Sequence, residues 1–235
     1  MNYLARYVTR YSQRARSKRA SLFRQEFVIH SDTKVLDLGS ETGEHIANVL
    51  TETNFIPRNI YIADIDSGAV AEGARRFGFT PVVIDESGKL PFPDQFFDIV
   101  YCSSVIEHVT ISKNVVWQIR SGRKFKKMST EAQTRFSQEI NRIGKQYYVQ
   151  TPNKWFPIES HSWLPVVGWL PRRLQVPLLR FTNLFWIKKA VPDWNLLGAR
   201  DLSILFENSQ VEKEKIFGLV KSVTALKKIA NSSFS

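Results

Sequence analysis

The chain has 235 residues, 43% of them hydrophobic, with one cysteine and a formal net charge of +11. This length and apolar content suffice for a core of ordinary domain size, which excludes global disorder, and a lone Cys102 excludes an internal disulfide or a multi-thiolate zinc site and points to a reducing, cytoplasmic setting. The positive charge points to two kinds of partner, a nucleic acid or an anionic membrane surface.

Residues 1–30 carry Arg6, Arg10, Arg14, Arg16, Lys18, Arg19 and Arg24 against Glu26 alone, so more than half of the excess charge lies in a basic N-terminal arm ahead of a single domain over 31–235. No apolar run follows these cations, so they are not a secretory signal, and no stretch reaches the ~20 apolar residues of a membrane span. Residues 34–38, 59–64, 81–85, 97–102 and 146–150 read as five buried strands, rich in Val, Ile and Tyr and bounded by turn residues. Helical patterns over 44–52 and 67–77 separate the first three, and Gly78 is placed to cap the second. Between strands four and five, the pattern predicts helices over 105–120 and 130–143, joined by a basic link over 120–127. Residues 211–217 and 220–227 alternate apolar and polar around Gly218, as a terminal antiparallel hairpin does. The order is that of an α/β, doubly wound, seven-stranded sheet, mostly parallel, ending in the hairpin. Residues 152–195 break the rhythm and form an insertion between strands five and six, with five of the six tryptophans.

Val35-Leu-Asp37-Leu-Gly39-Ser-Glu-Thr-Gly43-Glu runs from a strand through a glycine turn into a helix. Glycines let the backbone approach a ligand, and the helix start offers free N–H donors. Asp64 ends the next strand twenty-one residues after Gly43, where an acid can take both hydroxyls of a ribose, with Asp66 as local competitor. Asp85 ends the third strand, suited to an exocyclic amine. All three features fall on the sheet edge where open α/β sheets bind ligands. The spacing Gly39-x-x-x-Gly43 is not that of a nicotinamide-dinucleotide loop.

These residues, with Leu90–Asp98 and Ile99–Val109, resemble class I S-adenosylmethionine-dependent methyltransferases of the type 11 group that includes quinone-biosynthesis enzymes. The resemblance covers about 33–150 and 197–228. It implies a Rossmann-like sheet and S-adenosyl-L-methionine as cofactor. Asp37 and Gly39 would line its methionine end, Gly43 would complete the loop, Asp64 would take the ribose and Asp85 the adenine, while Ser103 and Ser104 would border the sulfonium and acceptor. The family's central loop glycine is Glu41 here, so either the loop differs or this side chain points outward. In related quinone O-methyltransferases a Glu-x-x-Glu-His element holds a divalent metal; here the first acid is Ser104, so no metal site is expected, and Glu107-His108 reads as a structural pair. His161, just after strand five, is the candidate base as a neutral imidazole, helped by Glu159 or Glu107.

The insertion interleaves tryptophans with seven Lys and Arg residues over 151–200, against Glu159 and Asp193. That suits an acceptor lid or an interfacial surface on anionic lipid. The expected activity is methyl transfer to a small-molecule, glycan or lipid-linked acceptor at oxygen, in the cytoplasm or at the inner membrane face. RNA methylation through the basic patches, and a non-catalytic cofactor-binding or interaction protein, are the alternatives. Nothing in the sequence sets an oligomeric state.

Overall fold

The computed structural model describes residues 3–85 and 88–229, with side chains from Ala15 onward over that range; the side chains of Arg6, Arg10 and Arg14 lie outside it. The strands are β1 Val35–Leu38, β2 Ile60–Asp64, β3 Thr80–Val83, β4 Phe97–Ser103, β5 Gly144–Pro152, β6 Gln210–Ile216 and β7 Leu219–Lys227. They form one sheet in the order β3-β2-β1-β4-β5-β7-β6. β1 to β5 run parallel, and β7 pairs antiparallel with β5 and β6. The helices are α1 Tyr3–Glu26, α2 Glu44–Val49, α3 Ser67–Phe77, α4 Gly122–Ile143, α5 Arg172–Thr182 and α6 Ala199–Leu205.

Strand composition follows position. β1 and β4 are central, covered on both faces and almost wholly buried, so they are mostly apolar, interrupted by Asp37 in β1 and by Asp98 and Ser103 in β4. β3 is an edge and tolerates Pro81, which lacks an N–H. β6 is the other edge and carries Glu212, Lys213, Glu214 and Lys215, charges that discourage pairing with another chain. Alternate residues of the central strands feed two cores. Leu36, Leu38, Val100, Cys102, Tyr147 and Val149 pack with Ile140 of α4 and Leu202 of α6. Val35, Ile62, Ile99, Tyr101 and Tyr148 pack with Phe23 of α1, Val49 of α2 and Val70 of α3.

The segment expected as a basic arm is therefore a helix whose C-terminal half belongs to the core. Phe23 is fully buried and meets the stacked Tyr101–Tyr148 pair edge-on, at 5.1 and 5.6 Å. Arg24 donates to the Val49 carbonyl at 2.9 Å, and Arg19 faces Glu214 at 3.4 Å. Arg16 and Lys18, on its other faces, are exposed, so charge count alone misassigns the element.

Two further expectations need correction. Residues 105–120 hold only a single helical turn, Ile106–His108, followed by turns. Two of their carbonyls serve another purpose: the buried Arg172 guanidinium donates to those of Val116 and Ile119 at 2.8 and 2.6 Å, and to that of Pro192 in the insertion at 3.0 Å. Secondly, α4 starts at Gly122 rather than Thr130. Ser121 caps it by accepting from the Lys124 N–H at 3.3 Å, so the basic link is mostly the helix's first turns. Gln133, inside this helix, is buried and donates to the Ile106 and Asn195 carbonyls. The insertion packs on its own small core of Val167, Leu179, Ala190 and Trp194.

Candidate active site

The turn after β1 is built by steric necessity. Gly39 has φ +77°, and a Cβ there would meet the Val105 side chain at 2.4 Å. Gly43 has φ +70° and opens α2. Glu41 stands between them at φ +50°, with its side chain exposed. The loop thus keeps its left-handed turn despite the glutamate, which is exposed at the rim of the cleft that this turn borders. The backbone N–H of Glu41 donates to Asp64 Oδ2 at 2.9 Å, while Asp64 Oδ1 accepts from the Asp66 N–H at 3.1 Å. Asp66, the competitor in sequence, caps α3 by accepting from Gly68 and Ala69 N–H groups. Asp85 is exposed two residues past β3.

A cleft of about 1650 Å³ opens beside this turn. Asp37, Gly39, Ser103, Gln150, Glu159 and His161 line it, with Arg16 and Arg19 of α1 and Lys188 of the insertion at its walls. Gly43, Asp64 and Asp85 sit outside this lining, and Glu107 lies behind His161. Ser103 and Ser104 hydroxyls both donate to Gln150 Oε1, at 2.8 and 3.2 Å. Asp37 is 3% exposed, and burial, with the Asp64 charge adding, pushes its carboxyl up to about 8. Asp37 Oδ2 and Ser40 Oγ are buried without a hydrogen-bond partner among the described residues. Such orphaned groups call for a ligand. A ligand with an ammonium and a carboxylate, such as S-adenosylmethionine, fits them.

The acceptor-side residues meet in one cluster. Glu159 is buried and bonded within its own loop: Oε1 accepts from the His161 N–H at 2.7 Å and faces His161 Nδ1 at 2.5 Å, and Oε2 accepts from the Ser162 N–H and hydroxyl at 2.6 and 2.7 Å. That saturates the carboxylate, so Glu159 orients His161. The ring stacks on Trp194 at 5.2 Å and meets His108 edge-on at 4.5 Å. His161 Nε2 lies 3.6 Å from Glu107 Oε1. Burial alone would lower the imidazole's pKa, but the Glu107 and Glu159 carboxylates outweigh it and lift it to about 9. The neutral base expected from sequence is therefore corrected: at neutral pH this ring carries a proton, because two carboxylates flank it. Sequence reading gave His108 only a structural part and missed Asp193, whose Oδ1 stands 3.1 Å from His108 Nδ1. The Glu-His pair was the available signal for the first; an acid eighty-five residues away gave none for the second.

One surface beside the cleft is strongly apolar. Eleven of the twenty exposed large hydrophobic side chains among the described residues fall between Trp155 and Val191. On α5 and the turn after it, Leu174, Leu178, Phe181, Leu184 and Phe185 face solvent, between the exposed Arg173, Arg180 and Lys189. Ile187 extends this patch to the cleft, which it lines. No helix among the described residues is long and apolar enough to cross a membrane.

A family profile described as a methyltransferase domain matches residues 36–121, the part that carries the glycine turn. No curated relative matches the chain. Solved structures align over nearly its whole length. A protein of Pyrococcus horikoshii superposes with a TM-score of 0.56, 15% identical, over 92% of this chain and 89% of its own. The magnesium protoporphyrin IX methyltransferase of Synechocystis, solved with SAH bound, gives 0.54 at 12% identity over 97% and 89%. A complex between a methyltransferase activator and a methyltransferase from Haloferax volcanii gives 0.54 at 13% over 89% and 87%. At these identities the structural likeness is one of fold.

Proposed function

We propose that this class I S-adenosylmethionine-dependent methyltransferase modifies an oxygen of a lipid-linked acceptor at an anionic membrane surface. The observation that carries the reading is the exposed apolar face of α5, edged by cations and continuous with the cleft through Ile187. An apolar face rimmed by Lys and Arg lowers its free energy by entering the interface of an anionic bilayer. Bound, the cofactor supplies a methyl group on a cationic sulfonium whose leaving group is a neutral thioether.

The chain's own part is alignment and charge. Asp37 and Ser40 offer the buried polar atoms for the cofactor's methionine end. Gln150 holds Ser103 and Ser104 at the end of β4, between that end and the acceptor side. His161, fixed by Glu159 and Trp194, presents a protonated ring to the acceptor and favours its ionised oxygen over the neutral hydroxyl. The work of this enzyme would lie on the cytoplasmic face.

The test is a transfer assay with methyl-labelled cofactor over fractionated lipid, glycan and RNA extracts. Label in the lipid fraction, released by ether- or ester-cleaving chemistry, supports the reading. Label confined to RNA or to water-soluble glycans overturns it.

A further inference from the structure

We infer that Glu107, His108 and His161 form a binding site for one divalent transition-metal cation of the Zn2+ type. One donor atom from each lies within 4.8 Å of the other two. Two atoms bound to the same ion at about 2.1 Å are at most about 4.2 Å apart. Glu107 Oε1 and His161 Nε2, at 3.6 Å, already stand at that spacing. The widest pair would close by roughly 1 Å.

A second observation points to a ligand here. Glu107 is fully buried; its Oε2 accepts from Thr151 Oγ1 at 2.9 Å, but its Oε1 has no hydrogen-bond partner among the described residues, His161 Nε2 standing off at 3.6 Å. A buried carboxylate oxygen left in that state is costly, and a cation removes the cost. Both imidazoles are also oriented as ligands are. His161 Nδ1 faces Glu159 Oε1 at 2.5 Å and His108 Nδ1 faces Asp193 Oδ1 at 3.1 Å. Each ring therefore directs Nε2 to an ion; His161 releases its Nε2 proton to solvent when the ion binds, and the ion then supplies the positive charge that the imidazolium supplies in its absence. A carboxylate on the far nitrogen fixes the tautomer and direction of a metal-binding imidazole.

The ligand set is split between the end of β4 and the insertion. Ser104 does not take part, and His161 supplies the third donor from fifty-three residues beyond His108. Two imidazole nitrogens and one carboxylate oxygen favour Zn2+, Co2+ or Fe2+ over Mg2+ and Ca2+. Three protein ligands leave a position open, and both histidines line the cleft. An acceptor hydroxyl in that position becomes more acidic and passes its proton to solvent water. This use of the ion rests on the oxygen-methylation reading; the binding of the ion does not.

The experiment is a Co2+ titration of the chelator-stripped full chain, read by visible absorbance, with Zn2+ displacement. One Co2+ per chain, displaced by equimolar Zn2+ and not by a hundredfold excess of Mg2+, is expected. His108→Ala and His161→Ala should each weaken Co2+ binding at least tenfold. Both positions are partly exposed, so these variants keep the test open where the buried Glu107→Gln fails to fold; circular dichroism and melting temperature report folding. Absent binding, more than one equivalent, or binding unchanged in the histidine variants overturns the site and leaves a closed ion-pair cluster. Binding of S-adenosylhomocysteine, measured alongside, reports separately on the methyltransferase reading.

Discussion

Asp64 Oδ2 accepts the backbone N–H of Glu41 at 2.9 Å, so the acid at the end of β2 holds the turn that follows β1. Glu41 sits there at φ +50°, a region that costs a non-glycine residue about 1–2 kcal/mol. Glu41→Gly relieves that strain but frees the unfolded chain, so stability should change by less than about 1 kcal/mol. Removing the carboxylate beside the cofactor's methionine end should tighten S-adenosylhomocysteine binding. Calorimetry checks this, and weaker binding would count against the assigned turn.

Asp37 gives the protein a pH dependence. Its folded pKa, about 8, lies above the ordinary 3.8. Folding therefore favours the proton, and this contribution is complete below about pH 4 and declines as pH rises through 8. Asp37→Asn cannot ionise. Its melting temperature should gain on the wild type steadily between pH 4 and 8, at up to about 1.4 kcal/mol of stability per pH unit. Parallel melting curves across that range would expose the error if the two chains tracked each other.

Phe23→Ala tests whether α1 is part of the domain. The ring is fully buried against Tyr101 and Tyr148, so its loss should cost about 3–5 kcal/mol in chemical unfolding. A cost below about 1 kcal/mol would return the helix to the status of a detachable arm.

The apolar face of α5 should carry membrane binding. Phe181→Asp with Phe185→Asp places two charges in a patch edged by Arg180 and Lys189, and both positions are more than half exposed. Cosedimentation with vesicles containing phosphatidylserine should fall to background, while melting temperature stays within a few degrees. Undiminished cosedimentation would remove this face from the account.

Much of the fold was legible because its signals are local. Each central strand is a short Val/Ile/Tyr run, and the hairpin alternates around Gly218. Asp66 and Gly78 cap α3 at φ values that their residue types allow. What escaped depends on distant partners. Residues 105–120 have a helical pattern, but Arg172 takes two of their carbonyls. Phe23 and Phe27 lie among cations, so composition hid a core helix. The site divided in the same way. Asp37 and Gly39 follow from one contiguous turn. The charged state of His161 follows from Glu107, fifty-four residues earlier, and Glu159, which only the fold brings to one ring.

The most direct test of the account is a calorimetric titration of the wild-type chain with S-adenosylhomocysteine beside Asp37→Asn, at pH 8.5, where the wild-type carboxyl is ionised. One site per chain, weakened at least tenfold by the substitution, is the predicted result. No binding to the wild type, or equal binding to both chains, would contradict the cofactor site built on Asp37, Gly39 and Ser40.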